Sequence, residues 1–169
     1  QPYIITRRVQ KGPRNNLLNR STYRRAARVI AVSAAIKKRL FTLDAALDVQ
    51  VIPDCSSALS SSQTRSAAIR ERLGIAPGQF VIGHVGALVD SHKGQLQIIE
   101  MARNSRGSDL VFMLIGSGTD EAMLKQAAQG LENVHFTGHV DNVGDYLNLM
   151  NLFLYPSRHE GLGSILLDA

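Results

Sequence analysis

Four short apolar runs, Phe80–Val85, Leu110–Ile115, Val134–Thr137 and Leu152–Tyr155, alternate with stretches of helical spacing. This alternation constrains the fold more than any other feature of the chain. A strand, a helix and a second strand in one sheet make a right-handed crossover, so the pattern predicts a parallel sheet with helices on both faces. The fold class expected is α/β, a doubly wound, Rossmann-like parallel sheet. A helix bearing Ile69 and Leu73, closed by Gly74, leads into it.

The preceding residues form a separate pattern. Tyr3 to Val9 reads as a short strand, followed by a basic loop at Lys11-Gly12-Pro13 and a helix from about Leu17 to Ala27. Arg28-Val29-Ile30-Ala31-Val32-Ser33 reads as a buried strand whose Ser33 caps the next helix, and Val49-Gln50-Val51-Ile52 as a strand stopped by Pro53. The serine-rich stretch Ser56 to Ser62 has linker composition. A chain of 169 residues holds one substantial domain or two small ones. The expected division is residues 1–52 as the end of one domain, 53–62 as linker and 63–169 as a second domain. The first residue is not Met, and Ile165-Leu166-Leu167-Asp168-Ala169 stops in a helical pattern without a cap, so the sequence reads as incomplete at both ends.

Charge separates the same two parts. Residues 1–52 carry 11 Lys and Arg against 2 Asp and Glu, whereas residues 53–169 carry 8 against 12. The basic front suits a phosphate-bearing acceptor, a membrane surface or nucleic acid, or it is a solvated helix face. The five Phe and four Tyr lie in apolar segments rather than among the basic residues, which argues against a stacking platform for single-stranded nucleic acid. Cys55 is the only cysteine, so no intrachain disulfide exists and a reducing compartment is the simpler inference. No apolar run approaches the roughly 20 residues that span a bilayer, and Gln1-Pro2-Tyr3 does not open a signal peptide, so the chain reads as soluble.

Open parallel sheets take ligands outside the carboxyl ends of their strands. There the chain places Gly86-Ala87-Leu88 with Lys93-Gly94, then Gly116-Ser117-Gly118, then Gly138-His139-Val140, then Ser157-Arg158-His159-Glu160-Gly161-Leu162-Gly163-Ser164. Gly161 and Gly163 suit a helix start, where backbone N–H groups and the helix dipole favour a phosphate. In a helix beginning near Gly161, Glu160 lies at the mouth and Asp168 about 12 Å further on. Two carboxylates so spaced fit hydroxyls at the two ends of an elongated ligand whose diphosphate crosses the glycines, as in a nucleotide sugar. An acidic N-cap accounts for Glu160 as well. Gly116 and Gly118 are either turn glycines or ligand contacts. His84 reads as structural, and Arg7 and Arg8 stand between acceptor contacts and solvated charge.

These segments resemble the retaining GT-B glycosyltransferases of the group called glycosyl transferases group one. The hallmark is a Pro-Ser-x-x-Glu-Gly-x-Gly segment with a second acid further on, matched by Pro156 to Gly163 and Asp168. The likeness extends to Val85-Gly86-Ala87-Leu88 with Lys93-Gly94, to Gly116-Ser117-Gly118, to Phe136 through Val140, and to the interdomain region around Arg28–Ser33 and Val51-Ile52-Pro53. It implies a GT-B C-terminal, donor-binding domain that transfers a sugar from a nucleoside diphosphate to an acceptor with retention. The resemblance gives Glu160 the donor hydroxyls and Lys93 the diphosphate, helped by the amides of Gly163 and Ser164. His139 and Val140 would lie at the base edge and Asp168 at the ribose, with Gly86, Ala87, Gly116, Gly161 and Leu162 completing the donor site. No cofactor or metal is expected.

It also implies an acceptor of unknown identity, a lipid- or phosphate-linked glycan of envelope polysaccharide or lipopolysaccharide assembly. Peripheral contact with the inner, cytoplasmic face of a membrane goes with that reading, and nucleic acid does not. The acceptor site belongs to a domain mostly absent here, so these residues alone are expected not to turn over. The chain departs from the pattern in three places. Ala87 stands where many members carry a phosphate-binding Arg, which leaves Arg158 as a substitute; the last acid is Asp168 rather than Glu; and Pro53-Asp54-Cys55 replaces a Pro-Asn-Gly.

Two other classes bear comparison. A nicotinamide or flavin oxidoreductase needs a third glycine after its Gly-x-Gly, but Gly118 is followed by Thr119-Asp120-Glu121. No Gly-Lys-Ser/Thr phosphate loop, His-Glu-x-x-His or cysteine pair is present. A non-catalytic nucleotide- or polyanion-binding module is kept open by Ala87 and Asp168, and strongly salt-dependent binding without nucleotide preference would distinguish it.

Overall fold

The computed structural model describes residues 1–55, 59–158 and 163–169. They form two compact units: the described residues up to 55 with residues 163–167, and residues 59–158 with 168–169.

In the first unit, β1 (Ile4–Arg7), α1 (Leu17–Arg25), β2 (Arg28–Ala31), α2 (Ala34–Phe41) and β3 (Val49–Val51) follow in order. The strands form a parallel sheet in the order β1-β2-β3. Asn16 caps α1 by accepting the Asn19 amide at 2.8 Å, and Ser33 caps α2 by accepting the Ile36 amide at 3.3 Å. Each cap meets one of the amides that a helix start leaves without an internal partner. Ile36 and Leu40, one turn apart, then pack with Val29, Ala31, Leu43 and Val49 into a single apolar core.

Residues 163–167 differ from expectation. Instead of an α-helix continuing to Asp168, Ser164–Leu167 is a single 3-10 turn, with the Leu166 amide bonded to the Gly163 carbonyl at 2.8 Å. Asp168 falls in the turn beyond it. The i to i+3 bond is the tighter pattern that short single turns use, so the helical spacing of Ile165, Leu166 and Leu167 is met here by 3-10 rather than α bonding.

The second unit carries α3 (Gln63–Arg72), β4 (Phe80–Val85), α4 (Asp90–Lys93), α5 (Gln95–Asn104), β5 (Leu110–Ile115), α6 (Glu121–Ala127), β6 (Val134–Gly138), α7 (Val143–Leu147) and β7 (Leu152–Phe153). Its four strands are parallel, in the order β6-β5-β4-β7. Strand periodicity divides β5 between two cores. Phe112 and Leu114 pack with Ile98, Ile99, Ala102 and Leu124 on one face; Val111, Met113 and Ile115 pack with Ile69, Ile75, Tyr146 and Leu149 on the other. A strand covered on both faces must be apolar throughout, which is why Leu110–Ile115 reads as an uninterrupted run. Among the described residues, no helix is long and apolar enough to cross a membrane.

Asp145, at the start of α7, ties that helix to the start of α3. Its buried carboxylate accepts the Ser62 amide at 2.8 Å, Arg65 Nε at 2.6 Å and Asn142 Nδ2 at 2.9 Å. The Arg65 bond, then that of Asn142, outweighs burial and lowers the Asp145 pKa to about 2.

Candidate functional site

Strand order locates the site within the second unit. The chain steps from β4 to β5 to β6, then returns to place β7 on the other side of β4. Such a reversal opens a crevice outside the carboxyl ends of the two strands that flank it, here β4 and β7.

The backbone around that crevice leaves little freedom. Gly94 ends α4 and begins α5 in the left-handed conformation, φ 70°, and a Cβ there would stand 2.8 Å from the Pro156 carbonyl oxygen. Only glycine meets both demands. The Arg158 amide donates to the His92 carbonyl at 2.8 Å, so the turn bearing Lys93 is fastened to the segment after β7. Lys93 is half-buried. Its stem passes Gly86, where an added Cβ would lie 3.5 Å from Lys93 Cε, and its ammonium sits 5.3 Å from the centroid of the Tyr155 ring. A cation thereby sits at the switch point against groups from the segments that follow both flanking strands.

Neighbouring loops join this edge through their backbones. Gly86 N–H donates to Ile115 O at 2.9 Å, Leu88 N–H to Ser117 O at 3.0 Å, and Asp120 N–H to Leu88 O at 3.0 Å. A Cβ on Gly116 would lie 2.1 Å from Gly86 O, and one on Gly118 2.4 Å from Leu88 O. Both glycines are therefore demanded by loop packing before any ligand is considered. The Gly116 amide also donates to Gly138 O at 2.8 Å, bringing in the loop after β6. There His139 is exposed, 3.6 Å from the Asp141 carboxylate, and Val140 packs against the α3–α7 core.

Gly86, Ala87, Lys93, Gly116 and Gly138 thus share one sheet edge, followed there by His139 and Val140. Gly163 and Ser164 belong to the first unit and Asp168 to the second. Glu160, Gly161 and Leu162 lie outside the described residues. Two buried residues gain importance from the structure: His84, read from sequence as structural, and Gln95, which the sequence reading passed over. Both are completely buried. The signal for Gln95 is helical phase, since residues 95, 98, 99 and 102 share the buried face of α5.

Among the described residues no group of three His, Cys, Asp or Glu side chains is placed to hold a metal ion. The opposite, amino edge of the sheet has an open cavity of about 450 Å³ lined by Gln79, Arg106, Ser108, Glu132, Asn133 and His135, among others. Burial holds the His135 pKa below the ordinary imidazole value.

A family model described as "Glycosyl transferases group 1" matches residues 79–169. The 2-deoxystreptamine N-acetyl-D-glucosaminyltransferase of Streptomyces fradiae is 32% identical over 163 residues, covering 89% of this chain and 38% of that protein. The capsular polysaccharide biosynthesis glycosyltransferase CapM of Staphylococcus aureus is 27% identical over 157 residues, covering 85% of this chain and 41% of its own length. The chain therefore spans less than half of each of these relatives. Among solved structures, Anabaena HepE in complex with UDP and glucose aligns with a TM-score of 0.79 at 23% identity, over 100% of this chain and 50% of that one. WaaG, a glycosyltransferase involved in lipopolysaccharide biosynthesis, aligns with a TM-score of 0.73 at 18% identity, over 98% of this chain and 53% of that one. At these identities the likeness establishes the fold.

Proposed function

Because the chain belongs to the glycosyl transferases group 1 family, we propose that the whole protein transfers a sugar from a nucleoside diphosphate to an acceptor with retention of anomeric configuration. The second unit supplies the donor site. The observation that carries this reading is the half-buried Lys93 at the β4–β7 switch point, beside loops packed closely enough to exclude side chains. Negative charge grows on the diphosphate as its bond to the anomeric carbon breaks, and a cation fixed in advance lowers the energy of that state more than that of the intact donor.

Glu160 orients the donor hydroxyls, Asp168 meets the ribose, and the loop containing His139 and Val140 borders the base. Lys93 meets the diphosphate charge without a metal. The acceptor is a glycan of polysaccharide or lipopolysaccharide assembly, reached at a membrane surface through the basic first 52 residues. UDP is the first nucleotide to try, since HepE was crystallised with it.

The test is to incubate the full-length protein with UDP-, GDP- and ADP-sugars, with and without EDTA, and to follow nucleoside diphosphate release and product anomeric configuration by NMR. The reading expects release from one nucleotide series, undiminished by EDTA, and a retained anomer. Failure to bind or cleave any series, together with salt-sensitive binding of polyanions, would instead identify a non-catalytic module.

A further inference from the structure

We infer that Gln95 is a positioning residue for the donor site, holding the loop after β4 through a hydrogen-bonded chain that crosses the switch point; this rests on the donor-site reading above. His84 Nδ1 lies 3.0 Å from the Leu154 carbonyl oxygen, just beyond β7. A carbonyl only accepts, so Nδ1 carries the proton, and the Gln95 amide nitrogen facing Nε2 makes that ring nitrogen the acceptor. Gln95 Nε2 lies 3.4 Å from His84 Nε2 and 2.8 Å from the Ala87 carbonyl oxygen. The two amide protons of Gln95 are thus directed at His84 and Ala87. The chain runs from Leu154 through His84 and Gln95 to the backbone of the β4 loop.

An apolar residue would be the simple choice at this phase of α5, where Ile98, Ile99 and Ala102 pack. Gln95 is completely buried, and its Oε1 has no hydrogen-bond partner among the described residues. Burying an amide half-satisfied opposes folding, so its presence requires another account. Ala87 supplies one. Its methyl makes no polar contact, yet its carbonyl is pinned by the Gln95 amide, and the adjacent Gly86 packs against both the Lys93 stem and the His84 ring. Orienting Ala87 therefore orients the loop beside the diphosphate cation.

The test titrates UDP, GDP and ADP into the full-length protein and its Gln95→Met, Gln95→Asn and Ile98→Ala variants, with thermal unfolding measured alongside. Gln95→Met keeps the volume and removes both donors; Gln95→Asn withdraws them by one methylene. Each is expected to weaken the preferred nucleotide roughly tenfold, the worth of one well-made hydrogen bond, and to raise KM for the donor sugar while leaving KM for the acceptor in place. Ile98→Ala is expected to lower Tm more than either and leave nucleotide affinity within about twofold. A side-chain NMR titration of wild type adds a test that needs no variant: the two Gln95 amide protons should shift on nucleotide saturation. Unchanged affinity in a folded Gln95 variant, or unmoved Gln95 signals at saturation, overturns the inference. Absence of nucleotide binding by wild type overturns the donor-site reading itself.

Discussion

The two edges of the second sheet contrast concavity with chemistry. The amino edge has an open cavity of about 450 Å³, yet the Arg106 guanidinium in its lining is directed to the Gly130 carbonyl at 3.2 Å. At the carboxyl edge, strand order converges the loops after β4, β5 and β6, and glycines permit backbone contact where a Cβ would collide. A cavity needs only a gap between loops. A site for a charged ligand needs groups held in place, and a parallel sheet supplies them where its strands end.

Substitutions sharpen this contrast. The largest effect is expected for Gly116→Val, whose Cβ would enter the Gly86 carbonyl and whose φ of 129° a β-branched residue does not tolerate. A loss of about 3 kcal/mol or more is expected in urea unfolding, with donor binding lost as the loops part. Lys93→Ala is expected to leave urea stability within about 0.5 kcal/mol while weakening nucleoside diphosphate binding by about 10–100-fold, the worth of a charged hydrogen bond. A stability loss without an affinity loss would reduce Lys93 to a packing residue.

Asp145 gives an effect that depends on pH. Its folded pKa of about 2 lies below the ordinary carboxylate value of 3.8, so its stabilising contribution is present above the higher value and lost as pH falls through the lower. The urea midpoint of Asp145→Asn should fall below that of wild type at about pH 6, and the difference should shrink between about pH 4 and pH 2. An unchanging difference would remove the carboxylate from the account of the α3–α7 junction. The smallest effects belong to the amino edge. Arg106→Ala and His135→Gln are expected to leave nucleotide affinity within about twofold and stability within about 0.5 kcal/mol near neutral pH. The folded pKa of His135 is lowered from 6.5, so its contribution is present at higher pH and lost as pH falls below 6.5 toward the folded value; His135→Gln should remove that part of the acid sensitivity. A marked affinity loss at this edge would invert the comparison.

Local pattern made much of this fold readable. Phe80–Val85 and Leu110–Ile115 are strands at the predicted bounds, because their apolar runs serve two covered faces and end at loops. Strand β7 is shorter than predicted, Leu152–Phe153, and among the described residues its pairing is to Ile82 and Gly83 of β4. The segment Ser164–Leu167 misled for a different reason: apolar spacing over so few residues suits a 3-10 turn as well as an α-helix, and the sequence alone does not separate the two. Glycines after strands pointed to the carboxyl edge, but strand order was not legible, and with it went the switch point that makes Lys93 central. Gln95 was missed because its partners, Ala87 and His84, come together only when α5 folds back over β4. Asp145 meets Ser62 and Arg65 across about eighty residues of sequence, a separation that no local pattern records.

The most direct test of the central claim is calorimetric titration of the full-length protein with UDP, GDP and ADP and their sugar derivatives, repeated for Lys93→Ala and Glu160→Ala. The account predicts preference for one nucleotide, weakening of every form of it by Lys93→Ala, and weakening confined to sugar-bearing forms by Glu160→Ala. Full-length protein that binds no nucleotide, or binds one with unchanged affinity in Lys93→Ala, would contradict it.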